Sequence, residues 1–341
     1  MNIRRFRPED RNAVIELLRE CYGGWLGPAS EAYWEWRHER NPHGRSLIWL
    51  AEDADVVVGC YILSPVRLRI GGETLLGAES VDAAVLPDYR RGGLFTDLAR
   101  TAMEQADDDG IALTFAFPTE GAFRGQTRVG FESQFLIRKA YRPLGRRLGR
   151  ASGSSDTEVR QVSSFKSGFD ELCTGLAWAE DHCGVARDPE YLNWRYATHA
   201  SRRYETLACW RGDRPVGYCV FSVVPMNRLL SLGYIVDLQV EPGEFVAAAE
   251  LVSASLGGMR SLSARAAGCW MPPSGPVKRA LRDSGFSERW ESLRRRIARQ
   301  AFVEPFIVCV NDPATLTETM GSSSGIRPEQ WSLMPGDADY M

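Results

Sequence analysis

The pattern of apolar and polar positions predicts a strand, a loop and a helix in direct succession within the first third of the chain. An apolar run at 81–86 ends at Pro87, and a basic, glycine-rich segment follows at 90–93. Apolar residues then recur at helical spacing, at Leu94, Leu98, Ala99, Ala102 and Met103. The sequence therefore predicts a strand that leads through a tight basic loop into a helix.

The surrounding sequence predicts further strands and helices. Pro8 and the two acids after it open a helix that runs to about Cys21, and the aromatic segment 31–37 is predicted to be helical as well. Alternating or continuous apolar runs predict strands at 3–6, 47–52, 56–63, 66–70, 74–86, 112–117 and 134–141. This mixture of strands and helices indicates an α/β fold.

The basic loop has the composition of a pyrophosphate-binding turn. Glycines such as Gly92 and Gly93 lack a Cβ, so backbone N–H groups there can approach a ligand closely. The N-terminus of a helix presents unpaired N–H donors and the positive end of the helix dipole, which suits a phosphate. Arg90 and Arg91 add positive charge. The segment therefore predicts binding of a diphosphate group.

The order of elements and two short motifs resemble the GNAT acyltransferase superfamily over residues 1–142. Arg90 and Gly93 match the family's phosphate loop, and Gly130-Phe131 matches a later family motif, whereas Phe95 stands where the family has Gly or Ala. The resemblance implies a mixed, mostly antiparallel twisted sheet flanked by helices. It also implies acetyl-CoA or another short acyl-CoA as cosubstrate, bound by Ala84, Val85, Leu86, Arg90, Arg91, Gly92, Gly93, Leu94 and Phe95.

Members of this family transfer the acyl group directly to an amine, which must first lose a proton. Glu79 and Asp82 are the carboxylates on the strand before the loop, and Glu79 is the preferred base. Their spacing of three places them on opposite faces of a regular strand, although a bulge would change this. The tyrosine that often serves as the family's acid is replaced by Gln126, which leaves Tyr89, a tail residue or water as the alternative proton donors.

The second half of the chain repeats the first. Tyr33 matches Tyr191 at a shift of 158 residues, and Gly130 matches Gly285 at a shift of 155. In the segment equivalent to 87–93, the second copy has no arginine and carries a carboxylate at Glu244. The sequence therefore predicts tandem GNAT-like folds in which the second has lost the diphosphate site and packs against the first.

These patterns predict the domain organisation. A GNAT domain at 1–142 is followed by a basic, Gly/Ser-rich linker at 143–160, a degenerate GNAT-like domain at 161–310 and a C-terminal tail at 311–341. Whether Trp331, Leu333 and Met334 dock the tail on the body is left open. So is the oligomeric state, monomer or homodimer.

Composition narrows the class of protein. The formal net charge of −3 gives no indication of a nucleic-acid partner, and no apolar run has the length of a membrane span. None of the eight cysteines forms a CxxC pair, and the four histidines lack metal-ligand spacing. We expect a cytoplasmic protein with reduced thiols, no signal peptide and no metal.

The sequence thus predicts an acyl-CoA-dependent N-acetyltransferase that acts on a primary amine of a small molecule. One alternative is an acyl-CoA-binding sensor without turnover, which the glutamine at 126 favours. The other is a Fem-like aminoacyl transferase. That class should lack an intact phosphate loop and carry a basic groove. This sequence has the loop and shows no basic groove.

Overall fold

The computed structural model describes residues 1–23, 30–145, 156–166, 168–176, 183–226, 230–292, 303–320 and 326–338. Most of the predicted linker lies outside these residues. The described strands are β1 (Asn2–Arg5), β2 (Leu47–Asp53), β3 (Val56–Ile70), β4 (Glu73–Val85), β5 (Leu113–Ala116), β6 (Glu132–Leu136), β7 (Lys139–Pro143), β8 (Glu158–Val162), β9 (Cys183–Val185), β10 (Glu205–Arg211), β11 (Arg214–Pro225), β12 (Ser231–Val240), β13 (Ala264–Trp270) and β14 (Pro305–Val310).

The helices flank these strands. They are α1 (Arg11–Tyr22), α2 (Glu31–Trp34), α3 (Leu94–Ala106), α4 (Glu120–Thr127), α5 (Phe169–Gly175), α6 (Pro189–Leu192), α7 (Phe245–Ser261), α8 (Gly275–Asp283) and α9 (Pro313–Met320). A wide π-helical turn continues α2 through Glu35–Glu39, and a second one continues α6 through Asn193–Ala197. The repeat therefore extends to an uncommon backbone feature.

The strands form two mixed sheets. The first has the order β1-β2-β3-β4-β5-β14-β6, with β9 beside β3, and the second has the order β7-β13-β12-β11-β10-β8. Among the strand pairs described, only β4–β5 and β12–β13 are parallel. The prediction of mixed, mostly antiparallel sheets flanked by helices is therefore confirmed.

The two sheets exchange strands. β7, which lies early in the chain, pairs with β13 of the second sheet, whereas β14, from late in the chain, lies between β5 and β6 of the first sheet. The division of the chain at residue 142 therefore does not coincide with the division between sheets. Each sheet depends on a strand from the other half, so we expect the two halves to fold as one cooperative unit.

Each parallel pair separates part-way along its length. β4 pairs with β5 only from Gly77 to Glu79, although β4 continues to Val85. Similarly, β12 pairs with β13 only as far as Tyr234 and continues to Val240. Beyond these points one edge of β4 and of β12 is not hydrogen-bonded to its parallel neighbour.

The two folds pack through a reciprocal pair of tryptophans. Trp36 and Trp194 stack with ring centroids 4.7 Å apart. Each indole Nε1 donates to the other residue's carbonyl oxygen at 2.9 Å. The pairing is reciprocal, and the two residues are 158 positions apart, which is the shift between the repeats. The aromatic segment at 31–37 is thus part of the core, and its position suggests an approximate two-fold relation between the folds.

The C-terminal segment 326–338 docks on the body. Trp331, Leu333 and Met334 are buried. The N–H of Ser332 donates to the carbonyl of Cys183 at 2.8 Å, and Arg195 donates to the carbonyl oxygens at 336 and 338. The tail therefore covers the face of the second sheet that looks toward the first fold.

Candidate functional site

The predicted phosphate loop is an exposed turn that ends at an uncapped helix. After a short turn at Pro87–Tyr89, Arg91 has φ +70° and Gly93 has φ +90°. α3 begins at Leu94, and no side chain in the described part of the chain caps its first N–H groups. Backbone N–H groups and the helix dipole at this turn are of the kind that attracts an anion, although the carboxylate of Asp97, in the first turn of α3, lies 4.0 Å from where a Cβ of residue 93 would stand.

The arginines of the loop lie on the surface beside the end of β4. Arg90 and Arg91 are both exposed, and Arg90 Nε donates to the carbonyl of Val85 at 2.8 Å. This hydrogen bond holds one guanidinium group between the loop and the end of β4 that does not pair with β5. The residues present therefore fit a diphosphate whose attached chain continues along that strand.

The side chain of Phe95 points away from the loop. It packs against Tyr61 with ring centroids 5.7 Å apart, and it lies beside Gly125 of α4. A Cβ at position 125 would come within 2.4 Å of the Phe95 ring. The bulk of this residue is therefore accommodated by a glycine on α4 and does not obstruct the loop.

The equivalent turn of the second fold has the opposite charge. Glu244 precedes the first residue of α7, and its carboxylate accepts two hydrogen bonds from Arg211, at 2.7 and 3.0 Å. Glu241 is paired with Arg214 in the same turn. Gly243 keeps a positive φ of +84°, so the backbone turn persists although the cationic side chains are gone.

A β-bulge interrupts β4 beside the point where it separates from β5. Cys60 of β3 pairs with Ala84 and Ile62 pairs with Val81, so two residues of β4 oppose one residue of β3. Asp82, inside the bulge, has φ +46°. Opposite faces were expected for a regular strand only. The bulge changes this, and both Glu79 and Asp82 contact the segment 31–39.

Both carboxylates meet cationic or titratable partners on that segment. Glu79 is buried and forms an ion pair with Arg37, which is also buried. Asp82 lies 3.4 Å from Nε2 of His38 and 3.5 Å from the hydroxyl of Tyr33. The π-helical turn presents Arg37 and His38 to the bulge from one side.

His38 is the residue that the sequence analysis missed. Its Nδ1 lies 2.9 Å from the hydroxyl of Ser46, which fixes the ring beside Asp82. The repeat contained the signal, because a shift of 158 carries His38 to Tyr196, and Tyr196 donates to Asp237 at 3.0 Å. The bulge carboxylate thus has a titratable partner from the same turn in both folds.

A cavity of about 10 Å³ lies between the two folds, bordered by Glu79, Arg37 and Asp337. This volume is close to the smallest that holds one water molecule. The cavity beside Glu79 therefore has room for about one water molecule.

Comparison with known proteins identifies the fold family. Residues 2–133 match the model of a family described as an acetyltransferase (GNAT) domain. Residues 2–133 therefore belong to this GNAT domain family. No curated protein matches the sequence.

Solved structures resemble the GNAT folds of this chain at low sequence identity. A GCN5-related N-acetyltransferase from Anabaena variabilis is 14% identical, with TM-score 0.67, and the match covers 91% of this chain and 73% of that one. A tandem GNAT protein from the clavulanic acid biosynthesis pathway is 13% identical, with TM-score 0.58 and coverage of 92% and 99%. The Saccharomyces cerevisiae N-myristoyltransferase with bound myristoyl-CoA is 12% identical, with TM-score 0.57 and coverage of 90% and 82%. These likenesses support the tandem fold.

The position of the usual GNAT tyrosine is occupied by a buried polar cluster. Gln126 Nε2 donates to the hydroxyl oxygens of Tyr61 and Ser80, at 3.0 and 3.1 Å, and Ser80 Oγ donates to Tyr61 at 2.8 Å. Burial raises the pKa of Tyr61 to about 12. Gln126 Oε1 is buried and has no partner in the described ranges. A tyrosine from β3 therefore places its hydroxyl beside the side chain of residue 126.

The three backbone donors predicted on β4 differ in their surroundings. The N–H of Leu86 donates to Val58 of β3 at 3.0 Å, so it faces into the sheet. Ala84 and Val85 belong to the part of β4 beyond its pairing with β5, where the other edge of the strand is free of that neighbour. The hydroxyl of Tyr89 donates to Asp53 at 2.8 Å, which directs this residue toward the β2–β3 turn.

The described residues contain neither a metal cluster nor a membrane-spanning helix. No group of three or more His, Cys, Asp or Glu side chains there could hold a metal ion. No helix in those ranges combines the length and apolarity of a membrane span. The eight cysteines are free thiols.

Proposed function

We propose that the chain is an acyl-CoA-dependent N-acyltransferase that transfers an acetyl or other short acyl group directly to a primary amine of a small molecule. The observation that carries this proposal is the exposed basic loop at the start of α3, next to the part of β4 that does not pair with β5. The solved relative whose title names bound myristoyl-CoA supports an acyl-CoA ligand.

The residues that would hold the diphosphate are Arg90, Arg91 and the backbone N–H groups of 92–95. The edge of β4 around Ala84 and Val85 would hold the chain that leads to the thioester. When bound, acyl-CoA supplies an activated carbonyl carbon and a thiolate leaving group. The packing of Phe95 against Tyr61 and Gly125 fills space beside this strand, which favours a short acyl group.

We assign the removal of the amine's proton to the bulge of β4. Asp82 and His38 form a pair in which imidazole, the side chain that most readily exchanges a proton near neutral pH, lies beside a carboxylate. Glu79 was preferred from the sequence, but its pairing with Arg37 gives it a fixed counter-charge. We therefore propose that Asp82 with His38 accepts the proton and that Glu79 with Arg37 sets the local charge.

Tyr61 is the candidate donor toward negative charge on the departing sulfur. Its raised pKa keeps the hydroxyl protonated at neutral pH. Ser80 and Gln126 both donate to its oxygen, so neither of these bonds uses the tyrosine's own proton. A preorganised donor of this kind stabilises developing charge without first having to reorganise.

A covalent cysteine intermediate is not part of this proposal. Cys60 is the cysteine nearest the bulge, and its Sγ lies 3.5 Å from the carbonyl oxygen of Asp82. Burial raises the pKa of this thiol, so little of the nucleophilic thiolate is available at neutral pH. The residues around the bulge therefore favour direct transfer.

The test is acceptor-dependent release of free thiol. The protein is incubated with acetyl-CoA and a panel of primary amines, including amino sugars, polyamines and amino acids, and thiol is followed against time. We expect release that requires an amine and that falls as the acyl chain is lengthened to myristoyl. Tight CoA binding without amine-dependent thiol would overturn the transferase and favour the sensor. A cytoplasmic monomer or homodimer remains our expectation.

A further inference from the structure

The last turn of the helix α1 lies against the end of β4 that leads to the phosphate loop. The hydroxyl of Tyr22 donates to the carbonyl oxygen of Ala83 at 3.0 Å. The Sγ of Cys21, one residue earlier, lies 3.4 Å from the carbonyl oxygen of Val85. Both contacts fall beyond the stretch over which β4 pairs with β5. Side chains of α1 therefore cover part of the strand that β5 leaves unpaired.

The two carbonyl groups point to the side of β4 that faces away from β3. The N–H of Leu86 donates to Val58 of β3, and successive residues of a strand direct their backbone polar groups alternately to its two sides. By this alternation Val85 and Ala83 face the opposite side. An extended ligand chain that lies along this side of β4 would find its hydrogen-bonding partners at these two residues.

Both carbonyl oxygens already accept hydrogen bonds from side chains. Val85 accepts one from Arg90 Nε at 2.8 Å in addition to the contact with Cys21. Burial raises the pKa of the Cys21 thiol, so the sulfur keeps its proton at neutral pH, but a thiol is a weak donor. A tyrosine hydroxyl is a stronger donor. Of the two contacts from α1, the one between Tyr22 and Ala83 is therefore the harder to replace.

Tyr22 lies at the exposed end of its helix. Its side chain is 41% exposed, and α1 ends at the next residue, Gly23, which has φ +62°. A Cβ at position 23 would have no heavy atom within 4 Å. The buried residues of α1 all lie earlier in the helix, at Val14, Ile15, Leu17 and Leu18. The hydroxyl of Tyr22 can therefore leave Ala83 without disturbing the apolar contacts that hold α1.

We propose that Tyr22 is a specificity-determining residue of the acyl-CoA site, which competes with the amide N–H groups of the ligand for the carbonyl oxygen of Ala83. The inference rests on the proposed function, in which the pantetheine arm, the chain between the diphosphate and the thioester, lies along β4. This arm contains two amides, and each N–H requires an acceptor once it leaves water. Binding of the arm displaces the Tyr22 hydroxyl, whereas binding of the nucleotide alone does not.

Calorimetric titration of the full chain with CoA and with 3′-phospho-ADP tests this proposal. The second probe has the nucleotide and the diphosphate but lacks the arm. Tyr22→Phe keeps the ring and removes the competing donor. We expect it to tighten CoA binding by roughly fivefold, about the value of one hydrogen bond, and to leave the affinity for 3′-phospho-ADP unchanged. Cys21→Ala should tighten CoA binding less, because a thiol is the weaker donor.

Tyr204→Phe is the matched control, because Tyr204 lies on the second fold and its hydroxyl has no hydrogen-bond partner among the described residues. We expect this variant to bind both probes as the wild type does. In the wild-type protein, hydrogen exchange of the backbone amides at 19–22 gives a readout that needs no variant. This exchange should become faster with CoA and stay unchanged with 3′-phospho-ADP.

The possible outcomes separate this inference from the proposed function. Absence of CoA binding to the wild-type protein would overturn the proposed function and the inference with it. If CoA binds the wild type but binds Tyr22→Phe equally or more weakly, the inference alone is overturned, since the carbonyl of Ala83 then accommodates both donors or Tyr22 helps to hold the ligand. An equal gain for CoA and for 3′-phospho-ADP would also overturn it, because the effect would then not involve the arm.

Discussion

The two folds of this chain share a backbone turn but differ in what that turn can bind. Gly93 and Gly243 have φ +90° and +84° at the start of equivalent helices. The first turn carries exposed Arg90 and Arg91, whereas the second carries Glu244, already paired with Arg211. The second fold thus has the same backbone turn as the first but lacks its two arginines. The difference teaches that the proposed binding of a diphosphate would depend on side-chain charge added to a turn that both folds can form.

Gly93→Glu gives the sharpest test of that comparison. A carboxylate at this position would repel a diphosphate, and we expect CoA affinity to fall by roughly 100-fold or more. Gly243→Glu is the matched control because it imposes similar backbone strain, of about 1–3 kcal/mol, on the second fold. Calorimetric titration with CoA measures both. Equal loss in the two variants would mean that strain, and not charge, causes the effect.

The bulge carboxylates provide the next test. Asp82→Asn should lower kcat by roughly 10²–10⁴-fold, because the amide cannot accept the amine's proton, and leave CoA affinity nearly unchanged. Glu79→Gln should lower kcat less if this residue only sets the charge around Arg37. Steady-state thiol release and CoA titration are measured together, with Asp88→Asn at an exposed position as the control. A larger fall in kcat for Glu79→Gln than for Asp82→Asn would indicate that Glu79, the base preferred from the sequence, accepts the proton.

The sequence was sufficient to predict the family and the mixed, mostly antiparallel sheets, whereas the diphosphate site and its loss in the second copy stay predictions. These features depend on local residue types and on a repeat that holds its register over about a hundred residues. The face that Asp82 occupies was not predictable in the same way, because a bulge reflects pairing between β3 and β4 and leaves no distinct local pattern.

The exchange of β7 and β14 between the sheets could not be predicted from the sequence for a related reason. The pattern at 134–141 indicates a strand, but the sheet that a strand joins is decided by long-range contacts. In the structure the segment divides, with β6 in the first sheet and β7 in the second. The docking of the tail depends in the same way on contacts with residues more than a hundred positions earlier, such as Arg195. Single-sequence periodicity contains no information about such partners.

The partners of the bulge carboxylates also differ between the two folds. In the second fold, Arg187 is buried and pairs with Asp237 at 3.0 Å and with Asp337 of the tail at 2.7 Å. Arg187→Leu would leave two buried carboxylates without a cation, and we expect a loss of about 3–5 kcal/mol in the free energy of unfolding. Arg160→Leu, in an exposed pair with Glu158, should change the free energy of unfolding far less. Urea denaturation measures both.

The pH dependence of that loss has a defined sign. Burial raises the pKa of the Asp337 carboxyl above its ordinary value. A carboxyl whose pKa is raised in the folded state stabilises the fold while protonated, and that contribution is lost as pH rises through the raised pKa. Removal of the guanidinium should raise this pKa further. The stability difference between Arg187→Leu and wild type should therefore narrow from pH 7 to about pH 5, and a difference that widens would contradict the assigned roles.

The smallest expected effect tests the approximate two-fold relation itself. Trp36→Phe and Trp194→Phe each remove one N–H···O=C bond and keep an aromatic ring, so each should cost about 1 kcal/mol in the free energy of unfolding. Because the two contacts are reciprocal, the two losses of unfolding free energy should be equal. The variants at Gly93, Asp82 and Glu79, by contrast, change residues of the first fold only. The guanidinium groups reinforce this symmetry, since Arg37 lies 5.9 Å from the ring of Trp194 and Arg195 lies 5.6 Å from that of Trp36. Unequal costs in urea denaturation would mean that the second fold supports the first through contacts that are not reciprocal.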